Sequence, residues 1–150
     1  MPLPRNVKSL GLVSFFTDIA SEMLYPIIPL FIVGTLGASP AILGVIEGLA
    51  DGLASSLKWV GGRLSDRSGK RKPFVIAGYS LSALSKPIMG LAAVVAGPAA
   101  WVIFLTGRIS DRVGKAVRTA PRDALIADSV PKEQRGAAFG FHRAMDTCGA

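Results

Sequence analysis

Apolar residues run from Ser9 to Ala38, resume from Pro40 to Gly62, and then hold from Phe74 to Thr106. A membrane-spanning helix needs about 20 mainly apolar residues to cross roughly 30 Å of hydrocarbon, so the first two stretches predict one span each, over 9–36 and 40–62. The third is too long for one span. Ala96, Gly97 and Pro98 interrupt it with turn-forming residues, which predicts two helices, 74–95 and 99–128. A fifth begins near Gly136 and runs to Ala150. The pattern predicts an all-α polytopic transmembrane helix bundle. The fourth helix departs from simple hydropathy, because Arg108, Asp111, Arg112, Lys115 and Arg118 follow its apolar first half.

Those are not the only charges in the spans. Asp18 and Glu22 lie in the first, Glu47 and Asp51 in the second, and Lys86 in the third. An ionised side chain facing lipid at mid-bilayer costs about 2.5 to 3.5 kcal/mol, against about 0.3 to 0.6 gained per large apolar residue. The charges must therefore face protein or water. Helical spacing permits this: Ser14, Asp18, Ser21, Glu22 and Tyr25 share one stripe, and Glu47, Asp51, Ser55 and Lys58 another. Gly44, Gly48 and Gly52 form a neighbouring stripe spaced for close helix contact. In the fourth span Arg108, Asp111, Arg112, Lys115, Thr119 and Arg122 fall in one arc, opposite Val102, Ile109, Val113, Ala116, Ala120 and Ala124. Two readings stand: the acids neutralise the bases and fix the bundle, or some of these groups line a substrate path. Pro26 and Pro29 each remove a backbone donor after the acidic pair, which predicts a kink or local opening near Tyr25, and Pro121 predicts a bend in the fourth helix.

Half of the 150 residues are apolar and the net charge is +7. A nucleic-acid surface does not explain that charge. Arg5 and Lys8 precede the first span, Arg63, Arg67, Lys70, Arg71 and Lys72 lie between the second and third, and Lys132 and Arg135 lie between the fourth and fifth. The alternate links carry no charge. This is the positive-inside pattern, and it predicts an integral membrane protein with a cytoplasmic N-terminus; a bacterial-type plasma (inner) membrane is the expected location. Cys148 is the sole cysteine, so neither a disulfide framework nor a cysteine metal site is expected. The first apolar stretch is too long for a signal-peptide core and reads as a retained helix. No nucleophile with a positioned base and no metal-ligand cluster stands out, so the sequence predicts neither an enzyme nor a metal or cofactor.

The most specific motif is the run from Gly62 through Leu64, Ser65, Asp66, Arg67 and Gly69 to Lys70, Arg71 and Lys72. A phosphate-binding loop is excluded, since six residues separate the glycines and no Ser or Thr follows Lys70. Asp66 is an acid among cations, expected to pair with Arg67 or Arg63. The run resembles the loop signature of the major facilitator superfamily: a glycine, a leucine, a small residue, Asp-Arg, a glycine and paired basic residues. The segment from Ala124 to Asp128, with Pro131, Arg135 and Gly136, is similar to that family's link from helix four to five. In helix four, Arg108 and Gly114 match the family's pattern, while Asp111 and Arg112 stand where it has a Gln and a Gly. The nine residues from Gly62 also agree at seven positions with the nine from Gly107, 45 residues on, as an internal repeat or as coincidence.

The resemblance implies the first four helices and the start of the fifth of a 12-helix fold, with residues 1–150 part of an N-terminal six-helix half and the second half missing. It implies secondary active transport of a small solute by alternating access, within a lipid bilayer, with protons as a candidate coupling ion. Helices one and four line the cavity in that family, so Asp18, Glu22, Tyr25, Arg108, Asp111, Arg112 and Lys115 become cavity candidates, beside Glu47 and Asp51. Asp18 or Glu22 is placed to carry a coupling proton, and Arg108 or Arg112 to hold an anionic group. Gly62, Leu64, Asp66, Arg67, Gly69, Lys70 and Arg71 would form a cytoplasmic latch, with Asp128 or Asp123 as a further partner. A transporter-like sensor or scaffold that moves no solute is the alternative. His142 and Asp146, one turn apart, read as an ion pair in preference to a proton relay.

Overall fold

The computed structural model describes residues 3–95 and 97–150. Ala96, part of the predicted turn, lies outside the described residues, as do Met1 and Pro2. Among the described residues six α-helices follow one another: α1 (Arg5–Glu22), α2 (Ile27–Leu30), α3 (Pro40–Ser68), α4 (Arg71–Leu91), α5 (Pro98–Asp128) and α6 (Arg135–Gly149). A π-helical turn, Phe31–Thr35, continues α2, and a 3₁₀ turn, Lys132–Gln134, precedes α6.

The first span is broken. α1 stops at Glu22, the chain turns through Met23 to Pro26, and the helix resumes at Ile27. Pro29 has no N–H, so the Tyr25 carbonyl loses the donor that a continuous helix would supply. The second helix outruns its expected end by a turn and a half, from Gly62 to Ser68. Hydropathy marks where lipid ends, whereas Arg63, Leu64 and Arg67 remain good helix formers in water. Gly69 is what stops it, in the left-handed region at φ 64°, where a side chain is strained. At the other end Ser39 caps α3 by accepting from the Ile42 N–H, and Pro40 fills the first turn. α4 begins at Arg71, ahead of Pro73, because a first-turn proline forfeits no intrahelical bond, and it ends at Leu91, short of Val95.

α5 is the central element, packed along α4 on one side and α3 on the other, while α1 packs along α6. The α4 and α5 backbones cross at paired glycines. A Cβ on Gly78 would lie 2.7 Å from the Gly114 carbonyl, and one on Gly114 2.7 Å from the Gly78 carbonyl. Two apolar clusters close the ends. Ile28, Ile32, Met89 and Phe104 meet at one, with Phe31 tilted against Phe104, and Val7, Ile126, Val130 and Ala138 meet at the other.

Between those ends the usual distribution is inverted. Arg108, Asp111, Arg118 and His142 are buried, while Phe16, Leu49, Leu84 and Val102 are exposed. A protein surrounded by water would not pay for that arrangement, and lipid explains it. Among the described residues three helical segments are long and apolar enough to cross a membrane: Arg5–Thr35, Pro40–Ser68 and Arg71–Leu91. α5 has the length, at 31 residues, and its Arg108 and Asp111 are turned against its neighbours.

Candidate functional site

The polar faces form a series of layers along α5. Nearest the broken first span, Arg108 donates from Nε to Glu47 Oε1 at 2.9 Å and from its terminal nitrogen to Glu47 Oε2. Arg112, one turn on, lies 3.2 Å from both Glu47 Oε2 and Asp51 Oδ1. Two acids one turn apart on α3 thus meet two arginines one turn apart on α5, and the planar guanidinium fork matches a carboxylate with two parallel bonds. Tyr25, Pro29 and Leu43 close a cavity of about 210 Å³ over this lattice.

Asp111 is turned away from that cavity. It is buried against α4, where Ser85 Oγ donates to it at 3.4 Å and Lys86 Nζ lies at 3.5 Å. Arg118, next in the same seam, donates to Ser82 Oγ at 2.9 Å and stacks over the Tyr79 ring at 4.2 Å. Arg118 and Lys86 are not among the site residues expected from the sequence. The signal that finds them is the stripe Gly78, Ser82, Ser85 and Met89 on α4, small or flexible residues at helical spacing facing α5.

Toward the other end, Asp18 and Glu22 of α1 and Lys115 of α5 share a second cavity of about 360 Å³ with Arg122, Arg143 and Asp146. Arg122 pairs with Asp123 at 3.1 Å and approaches Asp146 at 3.8 Å. His142, buried on α6, lies 3.6 Å from Asp146. The expected single polar arc on α5 is therefore divided among three surroundings: Arg108 and Arg112 toward α3, Asp111 toward α4, and Lys115 toward this open cavity.

At the end of α3 the signature is tied by a cation the motif reading did not pair. Arg71 binds Asp66 at 3.2 Å and Asp128 at 2.7 Å, so one guanidinium joins the ends of α3 and α5. The expected partners of Asp66 are elsewhere: Arg63 lies over the Trp59 ring at 5.1 Å, and Arg67 is exposed. Gly62 packs against Ala120, whereas Leu64 and Lys70 are exposed. The glycine stripe of the second span is also corrected. A Cβ on Gly44, Gly48 or Gly52 would meet nothing within 4 Å, because α3 presents a different face to α5. The two similar nine-residue runs differ in structure, since Gly69 ends a helix while its counterpart Gly114 lies within one, against Gly78.

The model of the Major Facilitator Superfamily matches residues 10–150. The chain belongs to that superfamily. It is 43% identical over 148 residues to an uncharacterised MFS-type transporter of Methanocaldococcus jannaschii, covering 99% of this chain and 35% of that protein. An uncharacterised protein of Mycobacterium tuberculosis is 35% identical over 147 residues, covering 97% of this chain and 34% of its own length. The multidrug resistance protein MdtH of Cronobacter sakazakii is 29% identical over 128 residues, 85% of this chain and 30% of that one. The chain thus spans about a third of the length of these relatives. No solved structure matches. Membership in the superfamily and the apolar helices make this an integral membrane protein of a transporter family.

Proposed function

We propose that the chain is part of the N-terminal six-helix half of a secondary transporter that moves a small solute across a bacterial-type plasma membrane by alternating access. The observation that carries the reading is the charged wall that α1, α3 and α5 present to shared cavities at depths where their outer faces are apolar. Ionisable groups held inside a membrane mark solute or ion paths. The broken first span beside Glu47 and Asp51 supports it too, since interrupted helices form binding sites in transporters of several folds.

Asp18 and Glu22 form no ion pair within 4.0 Å among the described residues and are the acids proposed to carry a coupling proton. Glu47 and Asp51 are held by arginines and are proposed to fix the wall. The basic links support a cytoplasmic N-terminus and a cytoplasmic Asp66 end of α3, where Arg71, Asp66 and Asp128 would form part of the latch. The test is flux through the purified full-length protein in proteoliposomes, with and without a proton gradient. Gradient-driven uptake that weakens in Asp18→Asn or Glu22→Gln supports the proposal. A folded protein that moves no solute under any gradient overturns it.

A further inference from the structure

Arg108 and Arg112 are the cations the sequence offers most readily to an anion, and both are already matched by Glu47 and Asp51. The unmatched positive charge lies about two turns farther along α5. Eight of the eleven residues lining the 360 Å³ cavity ionise, five basic against three acidic. Arg122 has its own acids in Asp123 and Asp146. Lys58, Lys115, Arg118 and Arg143 have no carboxylate within 4.0 Å among the described residues. Arg118 adds an independent observation: it is 3% exposed, it lines the cavity, and its Nε has no acceptor. A buried guanidinium with an idle donor is unfavourable unless something fills the place beside it.

We propose that this cavity binds a hydrophilic organic anion carrying two negative charges, held between Lys58 of α3 and Lys115 and Arg118 of α5. Two charges are what the excess of basic over acidic lining residues calls for. No aromatic and no large aliphatic residue lines the cavity, which disfavours a greasy, drug-like solute, whose pocket would need hydrophobic and aromatic walls. The volume falls in the range of small-ligand sites. The proposal rests on the transport reading for its biological sense and on the cavity's charge for its chemistry.

Purified full-length protein at fixed ionic strength, titrated with succinate and with glycerol 3-phosphate, tests it by calorimetry. Butane-1,4-diol and putrescine serve as uncharged and dicationic probes of similar length. At least one dianion is expected to bind and neither control to do so. Lys115→Gln and Lys58→Gln should each weaken the dianion about tenfold, the loss of one partly screened charge contact, and Glu22→Gln should tighten it. Failure of both dianions with folded protein, equal binding of putrescine, or unchanged affinity in both lysine variants would overturn the proposal. Binding is read here without flux, so a protein that binds the dianion and moves nothing contradicts the transport reading alone.

Discussion

Arg108 on α5 holds both carboxylate oxygens of Glu47 on α3, across 61 residues of chain. Arg108 is almost wholly buried while Glu47 is about one quarter exposed, at 26%, so the acid neutralises a cation that lacks water of its own. Replacing Glu47 leaves that cation stranded. Glu47→Gln is expected to destabilise the folded protein by about 1 to 3 kcal/mol, less than a fully buried pair because of the exposure. Asp51→Asn should cost under about 1 kcal/mol, since Asp51 is largely exposed. Thermal melting of the detergent-purified protein separates the two, and an equal drop in both variants would contradict the assignment.

The crossing of α4 and α5 depends on the absence of two side chains. A methyl group on Gly78 or Gly114 would stand 2.7 Å from the facing carbonyl, and backbone on both sides cannot yield. Gly78→Ala and Gly114→Ala are each expected to cost about 1 to 3 kcal/mol through overpacking. Gly48→Ala, with nothing within 4 Å, should leave this packing intact. Melting temperatures of the three variants check the contrast.

Arg71 joins Asp66 and Asp128, while Arg67 contacts neither at ion-pair distance. Arg71→Ala should therefore loosen the ends of α3 and α5, and Arg67→Ala should not. The pairs are partly exposed, so the loss is about 0.5 to 1 kcal/mol and shrinks with salt. Faster amide exchange over 62–68 and 123–128 in the first variant alone is the expected outcome.

Much of the helical order was legible because lipid imposes length and polarity on each span. The polar stripe of α3 was legible for the same reason: Glu47 and Asp51 share a face by spacing alone. What spacing does not fix is the neighbour each residue meets. Asp111 and Arg112 are adjacent in sequence and share one predicted arc, yet they face different helices, because Ser85 and Lys86 draw the acid to α4 while Glu47 and Asp51 draw the arginine to α3. The partner of Asp66 differs from the expected one for a similar reason. Arg63 and Arg67 lie nearer in sequence, but the helix carries them around the axis, and only the turn at Gly69 brings Arg71 back.

The central claim is that the charged faces of α1, α3 and α5 look into a shared wet interior while the opposite faces meet lipid. Single cysteines at Asp18, Lys58, Lys115, Ile76 and Leu84, introduced after Cys148→Ser removes the exposed native thiol, test it in full-length protein in membrane vesicles. A membrane-impermeant maleimide is predicted to label positions 18, 58 and 115 and to leave 76 and 84 unreacted. Labelling at 76 and 84 with protection at 18, 58 and 115 would contradict it.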